Sequence, residues 1–238
     1  MEPLIEVQGL HFRYDSGPEV LRGVNFRLFP GESVALLGPN GSGKTTFVLH
    51  LNGLLRGEGL VRVCGLPTRP EHLPSIRRKV GILFQDPDEQ LFMPTVLEDA
   101  AFGPLNLGLD PPRALHAAQE ALALTGMSAA WHKAPYHLSA GEKRRAALAG
   151  VLAMRPEILV LDEPTTYLDP PGRRELADLL RRLPQAKLVV THDATFACAT
   201  TTRAVFFREG RIESEGPTAE LIRRLGWDER LPPAEPAP

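Results

Sequence analysis

Gly38-Pro39-Asn40-Gly41-Ser42-Gly43-Lys44-Thr45-Thr46 decides how the rest of this 238-residue chain is read. The stretch fits G-x-x-x-x-G-K-[ST], and its flanks carry as much information as its letters. Ser33-Val34-Ala35-Leu36-Leu37 before it is a short apolar run suited to a buried strand. Thr46 to Gly53 after it has the pattern of a helix stopped by a glycine. Strand, glycine-rich turn and helix together make a phosphate site: backbone N–H groups curl inward and the helix N-terminus adds partial positive charge. In that setting Lys44 reaches the terminal phosphates and the Thr45 hydroxyl is a magnesium donor.

Working outward, Leu4-Ile5-Glu6-Val7, Leu10 to Tyr14 and Val24 to Leu28 alternate like strands, with a turn at Asp15-Ser16-Gly17-Pro18. They form an N-terminal antiparallel β region. Leu60 to Val63 is a short strand, and Val80 to Phe84 is another that ends at Gln85. From Asp86 to about Pro156 helical patterns take over, at Val96 to Ala101, Pro111 to Thr125 and Gly141 to Ala153. Strands return at Ile158 to Leu161 and Lys187 to Val190, with a helix from Arg173 to Leu183 between them. Ala204 to Phe207 and Arg211-Ile212 flank a hairpin turn, and Thr218 to Leu225 is a last helix. The expected fold is α/β: a P-loop NTPase core with an N-terminal antiparallel β subdomain and an inserted α-helical subdomain. One domain over 1–226 is expected, the helical lobe being about 86–156, with a Pro-rich disordered tail at 227–238.

Hydrophobic residues are 43% and the net charge is −2, so nothing draws the whole chain to nucleic acid or an anionic surface. The two cysteines, Cys64 and Cys198, lie far apart without metal-ligand spacing. No run of apolar residues is long enough to span a bilayer. The clusters Lys143-Arg144-Arg145 and Arg77-Arg78-Lys79 read as solvated faces.

Asp162 and Glu163 end the apolar run from Ile158, where ligands of open α/β sheets bind. Asp162 is the expected magnesium carboxylate, and Glu163 the residue that orients or deprotonates the attacking water. Taken alone, the pair would more often cap the next helix; following a phosphate loop, it reads as the magnesium and water pair.

Here the chain resembles the ATP-binding cassette ATPases, over about Leu4 to Leu225. The specific marker is Leu138-Ser139-Ala140-Gly141-Glu142, where that family carries L-S-G-G-Q. Ser139 and Glu142 also have capping-box spacing at a helix start. The resemblance implies that Ser139 and Gly141 complete the ATP site of an opposite subunit. Two departures stand out. Ala140 requires negative φ where the family has glycine, and Glu142 brings a carboxylate near a triphosphate. The resemblance further implies that Tyr14 stacks on adenine and that Gln85 meets magnesium. It also implies that Tyr167-Leu168-Asp169 touches the other subunit, and that His192 contacts the γ-phosphate. The implied nucleotide-binding set is Tyr14, Gly38, Asn40, Gly41, Ser42, Gly43, Lys44, Thr45, Thr46, Gln85, Ser139 and Gly141. The catalytic pair is Glu163 and His192, and the metal donors are Thr45, Gln85 and Asp162. The implied cofactors are ATP and Mg2+.

Gln85-Asp86-Pro87-Asp88-Glu89-Gln90-Leu91-Phe92, with Ala101-Phe102-Gly103-Pro104-Leu105-Asn106, is similar to the ATPases of energy-coupling-factor importers and of cobalt and nickel uptake systems. Leu91-Phe92-Met93 is an apolar tip suited to a partner's helix. The resemblance implies a second ATPase subunit, identical or different. It also implies a membrane subunit docked near Gln85–Pro104 and a peripheral position on the cytoplasmic face of the membrane, with no nucleic acid. The alternative is a soluble cassette ATPase working on nucleic acid or ribosomes. Against it, the interval before Leu138 lacks the sustained heptads of a long coiled coil.

Overall fold

The computed structural model describes residues 1–227. The tail expected to be disordered lies, from residue 228 on, outside the described residues. In chain order the first elements are β1 (Ile5–Arg13), β2 (Glu19–Leu28), β3 (Ser33–Leu37), α1 (Lys44–Leu51), β4 (Glu58–Val63), β5 (Leu66–Pro67) and α2 (Leu73–Lys79). Then come β6 (Val80–Leu83), α3 (Val96–Asn106), α4 (Pro111–Leu124), α5 (Ala140–Ala153), β7 (Ile158–Asp162) and α6 (Pro170–Arg182). The chain closes through β8 (Ala186–Val190), α7 (Ala194–Thr200), β9 (Arg203–Arg208), β10 (Arg211–Pro217) and α8 (Thr218–Leu225). Most expected elements are present. Two helices were not foreseen: α2, which holds the basic cluster read as a lead-in to a strand, and α7.

The chain forms two compact units, Met1–Arg77 with the segment from Gln185 onward, and Arg78–Pro184. In the first unit, β2, β1, β4 and β5 make an antiparallel sheet. β1 is one strand rather than the expected two, because a bulge after Val7 absorbs Gly9 without ending the pairing. β3 pairs in parallel with β8 on one side and β9 on the other, and β9 turns back into β10. All of β8 and nearly all of β3 are buried, as expected of parallel strands covered on both faces. Ala35, Leu37, Ala194, Ala197, Ala204, Phe206, Leu221 and Ile222 form one cluster of this core.

The second unit holds the parallel pair β6–β7 and the helices α3, α4 and α5 packed together. Alanines at 100, 101, 114, 117, 118, 121, 146 and 147 are buried among them, and such small side chains let helix backbones approach closely. The helix starts are chemically marked. Thr95, Asp110, Ser139 and Asp169 each accept a backbone amide at the N-terminus of α3, α4, α5 and α6.

Candidate nucleotide site

The first unit carries the glycine-rich loop between β3 and α1. Gly38 leaves β3 at φ 139, a conformation that side chains resist, and a Cβ there would lie 2.2 Å from Phe207 O. The hairpin that carries Phe207 also braces the loop further on: Gly210 N donates to Ser42 O at 3.0 Å, while Arg22 N donates to Gly210 O at 2.9 Å. The bracing turn has positive φ at both Glu209 and Gly210, as a tight two-residue hairpin requires. Asn40 and Gly41 are exposed at the tip, Ser42 is buried, and Gly43 precedes the first turn of α1. Lys44 Nζ folds over the loop and donates to the carbonyls of Gly38 at 2.8 Å and Pro39 at 2.9 Å.

Two features fit a phosphate ligand. The loop path leaves no room for side chains at Gly38, and Ser42 Oγ is buried with no hydrogen-bond partner among the described residues. Thr45 is exposed at the first turn of α1, and Thr46 Oγ1 lies 3.2 Å from the Tyr14 hydroxyl. Tyr14 is 46% exposed with its edge supported by Phe12 at 4.8 Å between centroids, so an aromatic face near the loop remains open to solvent. Within α1, His50 is buried and its Nδ1 lies 2.7 Å from Thr46 O; burial holds its pKa below the ordinary imidazole value. His192 is exposed just after β8, and Asp193 beyond it caps α7.

The second unit, by itself, carries the carboxylates Asp162 and Glu163 and the start of α5. Asp162 is the last residue of β7 and Glu163 the first beyond it; both are buried. Glu163 stands at φ 45, unusual for a side chain of that kind. Gln85 is exposed just past β6. Ser139 caps α5 in a full capping box: Glu142 N donates to its hydroxyl at 3.3 Å, and Ser139 N donates to the Glu142 carboxylate at 2.8 Å. Ala140 is the first residue of α5, so the methyl meets the negative φ it needs. The Glu142 carboxylate is turned onto its own helix start. The Ser139 amide, then its hydroxyl, hold its pKa below the ordinary value, with Lys133 at 3.8 Å adding to the effect. Tyr167 is exposed at φ 68, while Leu168 is buried and Asp169 caps α6.

Arg144 corrects one expectation. Read in the sequence as part of a solvated face, it is 1% exposed. It binds three backbone carbonyls: Phe84 at 2.6 Å, Gln85 at 2.5 Å and Glu163 at 3.2 Å. Burial lowers its pKa, opposed by Asp162 and Glu163 among nearby groups. A signal for this was legible: Arg144, Ala147, Leu148 and Val151 lie at helical spacing on the buried stripe of α5. Its neighbour Lys143 pairs instead with Asp88 at 2.6 Å.

The loop after Gln85 is built rather than loose. The Gln90 amide completes the edge of β6, accepting from Phe84 N at 2.9 Å and donating to Ile82 O at 3.0 Å. Asp99 Oδ1 accepts the amides of Phe92 and Met93, each at 3.0 Å, and burial raises its pKa. Of the expected apolar tip, Leu91 folds back into the lobe, while Phe92 is 60% exposed. Phe92 stacks edge-to-face on the exposed Phe102, with ring centroids 4.9 Å apart, and Leu105 one turn further along α3 is exposed as well. No helix among the described residues is long and apolar enough to cross a membrane.

Comparison with known proteins follows the same line. The ABC transporter family model matches residues 21–166. An ABC transporter ATP-binding protein of Streptomyces avermitilis, so named, is 54% identical over 92% of this chain and 84% of its own length. The energy-coupling factor transporter ATP-binding protein EcfA of Methanocaldococcus jannaschii is 44% identical over 92% of this chain and 81% of its own. Among solved structures, CbiO1 of Clostridium perfringens, part of the ABC transporter complex CbiONQ, matches with a TM-score of 0.84 at 34% identity, over 93% of this chain and 91% of that one. The dimeric ATP-binding cassette MJ0796, in a post-hydrolysis state bound to ADP and Pi, matches with a TM-score of 0.82 at 28% identity, over 90% of this chain and 98% of that one.

Proposed function

Because the chain belongs to the ABC transporter family, as an ATP-hydrolysing, ATP-binding subunit, we propose that it powers an importer of the energy-coupling-factor type, carrying metal ions such as cobalt or nickel, or vitamins. The observation that carries this reading is the loop after β6. Gln90 and Asp99 hold it in shape, and it presents Phe92 and Phe102 as an aromatic pair to solvent. An ordered apolar tip on a polar loop suits a partner's helix. The likeness to EcfA and to CbiO1 supports the same choice of transporter type.

In this reading the chain is one cassette whose lobe at about 86–156 docks a membrane subunit near Gln85–Pro104. It sits peripherally on the cytoplasmic face of the membrane and meets no nucleic acid. Two cassettes, identical or sister chains, close on ATP. Lys44, Thr45 and the amides from Gly38 to Thr46 hold the phosphates, and Tyr14 supports the base. Ser139 and Gly141, at the start of α5, serve the ATP of the opposite cassette. Among the described residues no three His, Cys, Asp or Glu side chains gather into a metal site. The candidate donors are oxygens instead: the Thr45 hydroxyl, the Gln85 amide and the Asp162 carboxylate. That donor set suits Mg2+, which keeps waters and takes phosphate oxygens as its remaining ligands. Bound there, Mg2+ would offset the phosphate charge. Glu163 orients the attacking water and takes its proton, with His192 as its partner at the γ-phosphate. ATP favours the closed dimer by binding it better than the open one, and only that difference does work on the transporter.

The test is retention by membranes. The chain is expressed in its own host, extracted in mild detergent and purified by a tag. An integral membrane protein should co-purify with it. Phe92→Asp with Phe102→Asp should release that partner while leaving ATP binding intact. Purification without any membrane partner, or a variant that keeps it, would count against the proposal.

A further inference from the structure

Arg144 lies in the second turn of α5, five residues beyond the capping Ser139. Its guanidinium spans the ends of two strands. β6 and β7 pair in parallel up to Leu83 and Leu161. Beyond the ladder the carbonyls of Phe84, Gln85 and Glu163 are open to other donors. Arg144 supplies them all: Nη1 to Phe84 at 2.6 Å, Nη2 to Gln85 at 2.5 Å and to Glu163 at 3.2 Å. The Glu163 oxygen also accepts from Thr166 N at 3.1 Å. A planar, permanently charged fork suits three oxygens spread over two strand ends. Glu163 meanwhile stands at φ 45, a backbone state that persists only where its surroundings hold it.

We propose that Arg144 is a positioning residue for ATP hydrolysis, fixing the Glu163 backbone and the start of the loop at Gln85 as one piece with the N-terminus of α5. It touches no reacting atom and acts through Glu163. A shift of α5 would therefore carry the Glu163 carboxylate and the partner-facing loop with it. The inference rests on the reading of Glu163 as the residue that orients water.

The experiment compares full-length wild type, Arg144→Met, Arg144→Lys, Glu163→Gln and the double variant Arg144→Met/Glu163→Gln. It measures steady-state ATPase rates and, separately, ATP affinity. Glu163→Gln should lower kcat by about 10²–10⁴-fold. Arg144→Met should lower kcat by about 10–100-fold through misplacement, with KM for ATP within about twofold of wild type. Arg144→Lys, which keeps the charge but not the fork, should recover part of the rate. The double variant should be no slower than Glu163→Gln alone, because the lost positioning has nothing left to position. If Arg144→Met fails to fold, Arg144→Lys and its double with Glu163→Gln carry the same test. Losses that multiply in the double variant would overturn the proposal, as would an equal fall in ATP affinity and rate. A slow Glu163→Gln beside a wild-type Arg144→Met would overturn it alone. A wild-type rate for Glu163→Gln would overturn the reading of Glu163 and this proposal with it.

Discussion

Gly38→Ala tests whether the phosphate loop is held by packing or only by backbone preference. The added methyl carbon would lie 2.2 Å from Phe207 O and 3.3 Å from Phe207 Cβ. To reach an ordinary contact the two segments must part by about 1.2 Å, an overpacking that costs about 1–3 kcal/mol. The conformation at φ 139 adds strain of about 1–3 kcal/mol for any residue with a Cβ. The sum is about 4 kcal/mol, or about 8–16 °C of melting temperature for a chain of this size. Movement at Gly38 also swings the carbonyl that Lys44 Nζ holds at 2.8 Å, so ATP affinity should fall by about tenfold or more. Gly41→Ala is the internal control. It shares a positive φ, 76, but its methyl would meet nothing within 4 Å, so only backbone strain of about 1–2 kcal/mol applies. Thermal melts and ATP titration by calorimetry measure both variants. If the two melt together and bind ATP alike, contact with Phe207 does not shape the loop and the reasoning fails.

His50 gives a pH signature. Its buried ring has a lowered pKa, so its neutral form contributes stability above about pH 6.5 that is lost as pH falls toward the lowered value. Urea melts should therefore show an acid decline that His50→Phe, which keeps the edge contact with Phe12, flattens; an unchanged decline would assign it to other groups. Tyr14→Ala should weaken ATP binding about tenfold, as expected for loss of an aromatic stacking face. Tyr14→Phe, which loses only the 3.2 Å bond to Thr46, should stay within about threefold of wild type by the same titration.

The phosphate loop was legible because strand, glycines and helix occur in the one order that phosphate binding needs. α8 was legible from end to end, and β7 to within one residue, because their patterns are strong and their boundaries chemically marked. α7 was not, since Ala194-Thr195-Phe196-Ala197-Cys198-Ala199-Thr200 offers few large apolar residues to show a period, although Ala194, Phe196, Ala197 and Thr200 are buried. α2 buries only Ile76 and reads as a basic stretch. In the site, motif positions were found by spacing, whereas the role of Arg144 depended on which carbonyls lie opposite, and that is fixed by tertiary structure. The likeness to importer ATPases singled out the stretch from Gln85 to Phe92, yet the work of Gln90 in closing the edge of β6 became visible only with its two hydrogen bonds.

The brace from Phe207 and Gly210 ties the glycine-rich loop to a hairpin far along the chain from it. A stop codon shortly after Asp193 would leave a product that still carries Lys44, Ser139, Asp162, Glu163 and His192. That product would lack the β9–β10 hairpin against which Gly38 and Ser42 are moulded, so it should fail to hold nucleotide. For the same reason the tip at Glu209-Gly210, a surface turn of the kind usually chosen for inserting an epitope or a fluorescent label, is a poor place to put one.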